Sequence, residues 1–290
     1  MSRVVAAASL GGMTTTTAPT SSYSPGSGYA RDVEYERLER QAALSFPREF
    51  ELMIAHGLTR TGTVIDLGSG NGAVTRRLRE ELPDATVYGS DVDAELLASV
   101  EPPTLAIVDG TIPVPDGSVD DIVMRFVAQH LRPALRAEVF AEIRRVLRPG
   151  GRLHVIDVDD SDAGHSSGRV TRGLVELFSE LRAIQSADGG DRQVVKKIPA
   201  ELERAGFIDV DPVTSAVTTN DHPVAAFSVH MGPDRYVPLV AAGVLTIEQL
   251  AVVGWSWENF RRDPEAFISI NIHTVHAVSP GPATTTHHGS

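Results

Sequence analysis

The segment Asp66-Leu67-Gly68-Ser69-Gly70-Asn71-Gly72 sets a carboxylate two residues ahead of three alternating glycines. Glycines so spaced reach backbone angles closed to other residues and, without Cβ atoms, let a ligand come against the main chain. Backbone N–H groups of such a turn, opening into a helix, donate to anionic oxygens. A carboxylate at Asp66 would repel a pyrophosphate but suits an ammonium group. The G-x-G-x-G spacing is also tighter than the dinucleotide pattern G-x-G-x-x-G. These features favour S-adenosylmethionine (SAM), whose methionine end carries an ammonium and a carboxylate, over NAD. Asp91 ends the next hydrophobic run, where a carboxylate can accept from both hydroxyls of a ribose. Asp93 is the second choice for that role, and Val92 is placed against an adenine face.

The elements around these residues follow from periodicity. Thr63-Val64-Ile65 is a buried strand running into the glycine turn, and Ala73-Val74-Thr75-Arg76-Arg77-Leu78 is a helix start. Strands are predicted at 64–67, 86–90, 105–108, 121–125 and 152–157, with helices at 73–82, 94–100 and 133–147 between them. Such alternation gives a parallel sheet with helices on both faces, and Pro149-Gly150-Gly151 stops the third helix ahead of its strand. Two short helices, broken near Pro47, are predicted over 32–58. After a polar loop at 159–168, helices are predicted near 170–186 and 198–205. Segments 207–217 and 267–278 have the β-rich composition of the last two strands. Between them an insert, 220–265, has helical periodicity and would form a lid with the N-terminal helices.

The glycine segment resembles the first motif of class I SAM-dependent methyltransferases. The resemblance continues in order through Gly89-Ser90-Asp91-Val92-Asp93, Val108-Asp109-Gly110-Thr111-Ile112-Pro113, Asp120-Asp121-Ile122-Val123-Met124-Arg125-Phe126 and Leu147-Arg148-Pro149-Gly150-Gly151-Arg152-Leu153. It covers roughly residues 31 to 279. It implies a Rossmann-like, seven-stranded, mostly parallel sheet with an antiparallel last strand, placed within a domain spanning 29–279. It also implies that Asp66, Gly68, Ser69, Gly70 and Gly72 hold the methionine end of the cofactor, leaving S-adenosylhomocysteine as product. Asp109 resembles the residue that accepts from the adenine amino group, with Gly110 and Thr111 bringing backbone to the ring edge. Arg125 and Phe126 would lie beside the transferred methyl group. A guanidinium near a sulfonium must turn aside or bind a carboxylate. His130 follows as the candidate general base, although related proteins often use a histidine there for packing only. Tyr35 and Gln41, on the first helix, match the pair that closes over the cofactor in small-molecule methyltransferases. His165, His222, His230, Trp255 and Trp257 are candidates to line an acceptor pocket.

The chain has 290 residues, 42% of them hydrophobic and 22% charged, enough for one large core or two modest ones. A formal net charge of -12 disfavours a nucleic-acid substrate, and Arg144, Arg145 and Arg148 read as a solvated helix end. The absence of cysteine excludes disulfides and thiolate metal sites. Asp157, Asp159 and Asp160 with His165 read as a solvated acidic loop, so no metal is expected. No apolar run reaches the roughly 18 residues that would span a bilayer. The short apolar stretch after Arg3 is closed by Gly11-Gly12 and makes a poor signal peptide. Residues 1–28 and 280–290, rich in Ser, Thr, Gly and Pro, read as disordered tails. The expectation is a cytoplasmic methyltransferase, monomer or homodimer, acting on an O, N or C atom of a small organic acceptor. The resemblance is nearest to ubiquinone/menaquinone-type and natural-product tailoring enzymes. The rivals are a SAM-binding protein of the same fold running another reaction, such as a cyclisation, and an NAD-dependent oxidoreductase.

Overall fold

A computed structural model describes residues 29–167, 189–241 and 243–281. The predicted tail at 1–28, the helix near 170–186 and most of the tail at 280–290 lie outside the described residues.

Five parallel strands make the body of the sheet: β1 (Thr61–Leu67), β2 (Asp84–Asp91), β3 (Thr104–Ala106), β4 (Val119–Arg125) and β5 (Leu147–Asp157). Three more follow: β6 (Gly164–Ser167), β7 (Ile208–Thr218) and β8 (Phe267–Val278). The strand order is β3-β2-β1-β4-β5-β8-β6, and β7 pairs with the other edge of β8. β8 runs antiparallel to β5, β6 and β7, so it is the reversed strand. The polar loop expected at 159–168 instead contains β6. β8 extends past the end of β5, and its Phe267–Ile270 stretch pairs there with residues 164–167. That pairing satisfies backbone groups which an unpaired edge would leave open.

The helices are α1 (Tyr29–Ala55), α2 (Ala73–Glu81), α3 (Ala94–Leu97), α4 (Pro133–Val146) and α5 (Ile198–Arg204), followed in the insert by α6 (Ser228–Met231), α7 (Val237–Ala241) and α8 (Ile247–Arg261). Alternate strand residues divide the core into two layers. Val64, Val123 and Ile156 face α1, α2 and the insert, packing with Met53, Leu78 and Phe260. Ile65, Ile122 and Val155 face α4 and α5, packing with Phe140, Ile143 and Leu202.

α1 is one helix with Pro47 inside it, not two helices broken there. Proline removes a backbone donor and crowds the preceding turn. Tertiary contacts override that cost: Phe46 and Met53 are buried on either side of Pro47, and Ser45 and Glu49 both bond to Arg125 of β4. A histidine group lies at the other end of the strands. His154 Nδ1 is 2.8 Å from His276 Nδ1, and the His56 ring stacks on His276 with centroids 3.8 Å apart.

Candidate active site

The strand order turns back between β1 and β4, so their C-terminal ends open a crevice where parallel α/β sheets take ligands. The glycine turn leaves β1 there. Gly68 and Ser69 both donate to the Ser90 carbonyl, at 2.7 and 2.9 Å, which fixes the turn against β2. Gly68 has φ 77, and a Cβ at that position would come within 2.4 Å of Val127. Gly70 has φ 53, and a Cβ there would meet nothing within 4 Å. The first glycine is therefore required by packing, and the second presents bare backbone to open space.

Asp66 is 2% exposed and accepts from the Thr75 hydroxyl at 2.6 Å. Burial pushes its carboxyl up to about 6, while the Thr75 bond and Arg125 oppose the shift. Asp91 is 8% exposed; its Oδ2 accepts from Gly70 N at 2.9 Å and its Oδ1 from Asp93 N at 3.0 Å. Each oxygen keeps a lone pair for a further donor. Asp93 instead caps α3, accepting from Glu95 N and Leu96 N, which separates the two candidates.

Val92 and Val108 follow the neighbouring strands β2 and β3, and are 63% and 64% exposed. Large apolar side chains bare at this rim suit a flat aromatic ligand. Asp109 (φ 48) and Gly110 (φ 75) take left-handed conformations, and Thr111 N donates to the Val108 carbonyl at 2.9 Å, making a tight exposed turn beside that rim.

α1 crosses the crevice. The Tyr35 carbonyl accepts from Asn71 Nδ2 of the glycine turn at 3.2 Å. Burial raises the Tyr35 phenol, Arg31 opposes that, and Asp93, Glu95 and Asp91 add to it, which puts the ring in the field of the crevice acids. Gln41 is buried on the same helix. Further along, Arg125 donates from Nε to Glu49 at 2.8 Å and from its Nη2 to Ser45 Oγ at 2.9 Å. Its guanidinium also lies 4.2 Å from the Phe126 ring centroid. Arg125 thus binds a carboxylate, the second of the two expected alternatives. Phe126 has φ 56, a strained conformation for a bulky residue and one that concentrates at functional sites.

His130 closes a short turn after Phe126, and burial, with Arg192 nearby, lowers its ring to about 4. It is neutral at physiological pH. His230 sits in the insert, held well below its ordinary value by burial and by Arg235, Arg37, Arg125 and Arg192. Arg37 of α1 donates to the Val229 carbonyl at 3.4 Å, and Arg40 pairs with Asp234 at 2.7 Å, tying α1 to the insert. His222 packs edge-on to Phe227. Trp257 is core, stacked on Phe260. Trp255 does not line the crevice: it is 63% exposed on the outward side of α8, away from buried Val253, Trp257 and Phe260. The side chain of His165 lies outside the described residues.

The acids at and beyond the end of β5 do not converge. Asp157 accepts from backbone N–H groups of Gln129 and Val158, Asp159 from Ser161, and Asp160 pairs with Arg192. Among the described residues no group of three or more His, Cys, Asp or Glu side chains could hold a metal ion, and no helix is long and apolar enough to cross a membrane. Arg144, Arg145 and Arg148 bond to Ser279, to Glu142 and Asp116, and to Asp120.

Sequence reasoning missed Thr75, Ser45 and Glu49. Their signals were weak: a hydroxyl in the first turn of α2, and an i,i+4 polar pair on an otherwise apolar stretch of α1.

Residues 65–155 match the methyltransferase domain family. An uncharacterized methyltransferase of Mycobacterium bovis is 38% identical over 97 residues, covering 32% of this chain and 38% of that protein. A trans-aconitate 2-methyltransferase of Deinococcus radiodurans is 35% identical over 157 residues, covering 51% of this chain and 58% of that protein. The chain therefore spans less than two thirds of the length of these relatives. Among solved structures, phosphoethanolamine N-methyltransferase 2 of Haemonchus contortus, in complex with S-adenosylhomocysteine, matches with a TM-score of 0.50 at 17% identity, covering 81% of this chain and 52% of that one. At that identity the likeness shows the fold.

Proposed function

We propose that this chain is a class I SAM-dependent methyltransferase and transfers a methyl group to a nucleophilic O, N or C atom of a small organic acceptor. The observation that carries this is the buried Asp66 carboxylate behind a bare glycine turn, with Asp91 and the exposed Val92 and Val108 along the same rim. Ser69 Oγ adds a buried hydroxyl with no hydrogen-bond partner among the described residues. An amino-acid tail, a ribose and an adenine fit that series in order.

The residues divide the work. Asp66 and the N–H groups of the glycine turn, with Ser69, hold the zwitterionic end; Asp91 holds the ribose; Val92, Asp109, Gly110 and Thr111 hold the base. Tyr35 and Gln41 close the crevice from α1. Arg125, neutralised by Glu49, leaves the end of β4 without net repulsion for a cation. The cofactor supplies an already activated methyl group, so the protein's main task is alignment of the nucleophile. His130, neutral beside this end of β4, can accept a proton from an acidic phenol or enol. Its lowered basicity fits it less well to an alcohol.

A small acceptor is supported by the lid of α1 and the insert, by the net charge of -12, and by the relative named for trans-aconitate. We assign the enzyme to the cytoplasm, where the cofactor is supplied, and to tailoring of a natural-product or quinone-type molecule. The test is incubation with SAM and a panel of phenols, carboxylic acids, amines and quinols, with S-adenosylhomocysteine as readout. Acceptor-dependent release supports methyl transfer. Acceptor conversion without any homocysteine product would favour a cyclisation-type reaction instead.

A further inference from the structure

Seven large hydrophobic side chains are well exposed among the described residues, and four of them fall within one stretch of the insert: Val244 (40%), Ile247 (72%), Val252 (49%) and Trp255 (63%). α8 is apolar on both sides. Its inner face buries Val253, Trp257 and Phe260, while Ile247, Ala251, Val252 and Trp255 share the outer face at helical spacing. A surface helix normally turns charge to that side. Gly254, in mid-helix, weakens the helix relative to alanine. Among the described residues a Cβ there would meet no atom within 4 Å.

The charges on this face supply the occupant. Glu248, Trp255 and Arg262 follow one another at seven-residue spacing, two helical turns each, so they form one stripe. The stripe reads acid, aromatic, base. Laid antiparallel on a copy of itself about Trp255, it sets each acid opposite a base and the two indoles against one another. We propose that α8 joins two copies of this chain in an antiparallel, two-fold helix pair centred on Trp255. Glu248 then meets Arg262 of the partner subunit. Such an interface is isologous and closes on itself. The surface pair of Arg262 with Glu258, at 3.1 Å and 72% exposed on the arginine side, is of the weak kind that can exchange partners. The inference rests on the fold alone and not on the reaction proposed above.

The test is sedimentation equilibrium of the full chain over a concentration series. The wild type should approach twice the 31.0 kDa chain mass. Trp255→Lys should weaken association by about thirty-fold or more, as loss of a central aromatic does, with an unchanged circular dichroism spectrum. Glu248→Lys and Arg262→Glu should each weaken it by setting like charges together, and the double variant should restore it. A wild type that stays at the single-chain mass overturns the proposal, including one that instead binds phosphatidylcholine vesicles through Trp255. So does a dimer unaffected by Trp255→Lys, or a double variant no better than the singles.

Discussion

Arg125, at the end of β4, and Glu49, on α1, form an ion pair at 2.8 Å with side chains only 7% and 1% exposed. Ser45 completes it, donating to Glu49 at 2.8 Å and accepting from Arg125 at 2.9 Å. The pair spans Pro47, neutralises a cation at the mouth of the crevice and fastens the crossing helix to the sheet. Removing one partner leaves the other charge buried and uncompensated, which costs about 3–5 kcal/mol. Glu49→Ala should lower unfolding stability in urea by about that amount and weaken SAM binding. A loss below about 1 kcal/mol, the range of an exposed pair, would show that Arg125 finds water instead.

Asp91, proposed above to hold the ribose, also receives Gly70 N–H from the turn it faces. Asp91→Ala should weaken SAM binding by about 1.5–3 kcal/mol for each charged hydrogen bond lost. Titration calorimetry reads this directly, and unchanged affinity would remove Asp91 from the site.

In the role proposed for it, Asp66 should make cofactor affinity depend on pH. Its carboxyl is raised to about 6 by burial, so in the free protein it loses its charge as pH falls through that value. SAM affinity should be greatest near about pH 7, where Asp66 is charged and the ligand's ammonium is still protonated, and decline progressively below about pH 6. Affinity that holds steady down to about pH 5 would mean that the ammonium is recognised elsewhere.

The histidines at the far end of the strands predict acid lability. His276 is 4% exposed, and burial, with His154 and His56 beside it, lowers its ring to about 3. Burial likewise lowers His154, against the opposing pull of Asp121. A ring kept neutral in the folded state costs nothing above its unfolded value of about 6.5 and destabilises progressively below it. For His276 alone the loss at pH 5 approaches about 2 kcal/mol. Asp66 and Asp157, raised to about 6 and about 7 by burial, act in the opposite direction, gaining stability as pH falls. The contrast with His276→Asn isolates the histidine. The urea midpoint of the wild type should fall more steeply than the variant's between about pH 7 and pH 5. Parallel slopes would contradict the assignment.

The sheet, and the gathering of Asp66, Asp91 and Asp109 at one end of it, were legible because they are local. Each strand is a short apolar run, and Asp66, Asp91 and Asp109 sit at strand ends within a few residues of their glycines. The crevice's supports are not local. Arg125 meets Glu49 across 76 positions of sequence, and that contact, with the burial of Phe46 and Met53, holds α1 continuous through Pro47. β6 was hidden because Gly164–Ser167 is a strand by virtue of β8, whose extension offers it an edge. Trp255 and Trp257 looked alike in sequence, two residues apart on a helix, yet one is core and the other faces outward.

The central claim is that the crevice behind Asp66 recognises an amino-acid tail joined to a nucleoside. Calorimetric titration of the full chain with SAM and, separately, with NAD tests it most directly. SAM should bind one to one, NAD should give no heat of binding, and Asp91→Ala should weaken the first. Saturable binding of NAD with none of SAM would contradict the account.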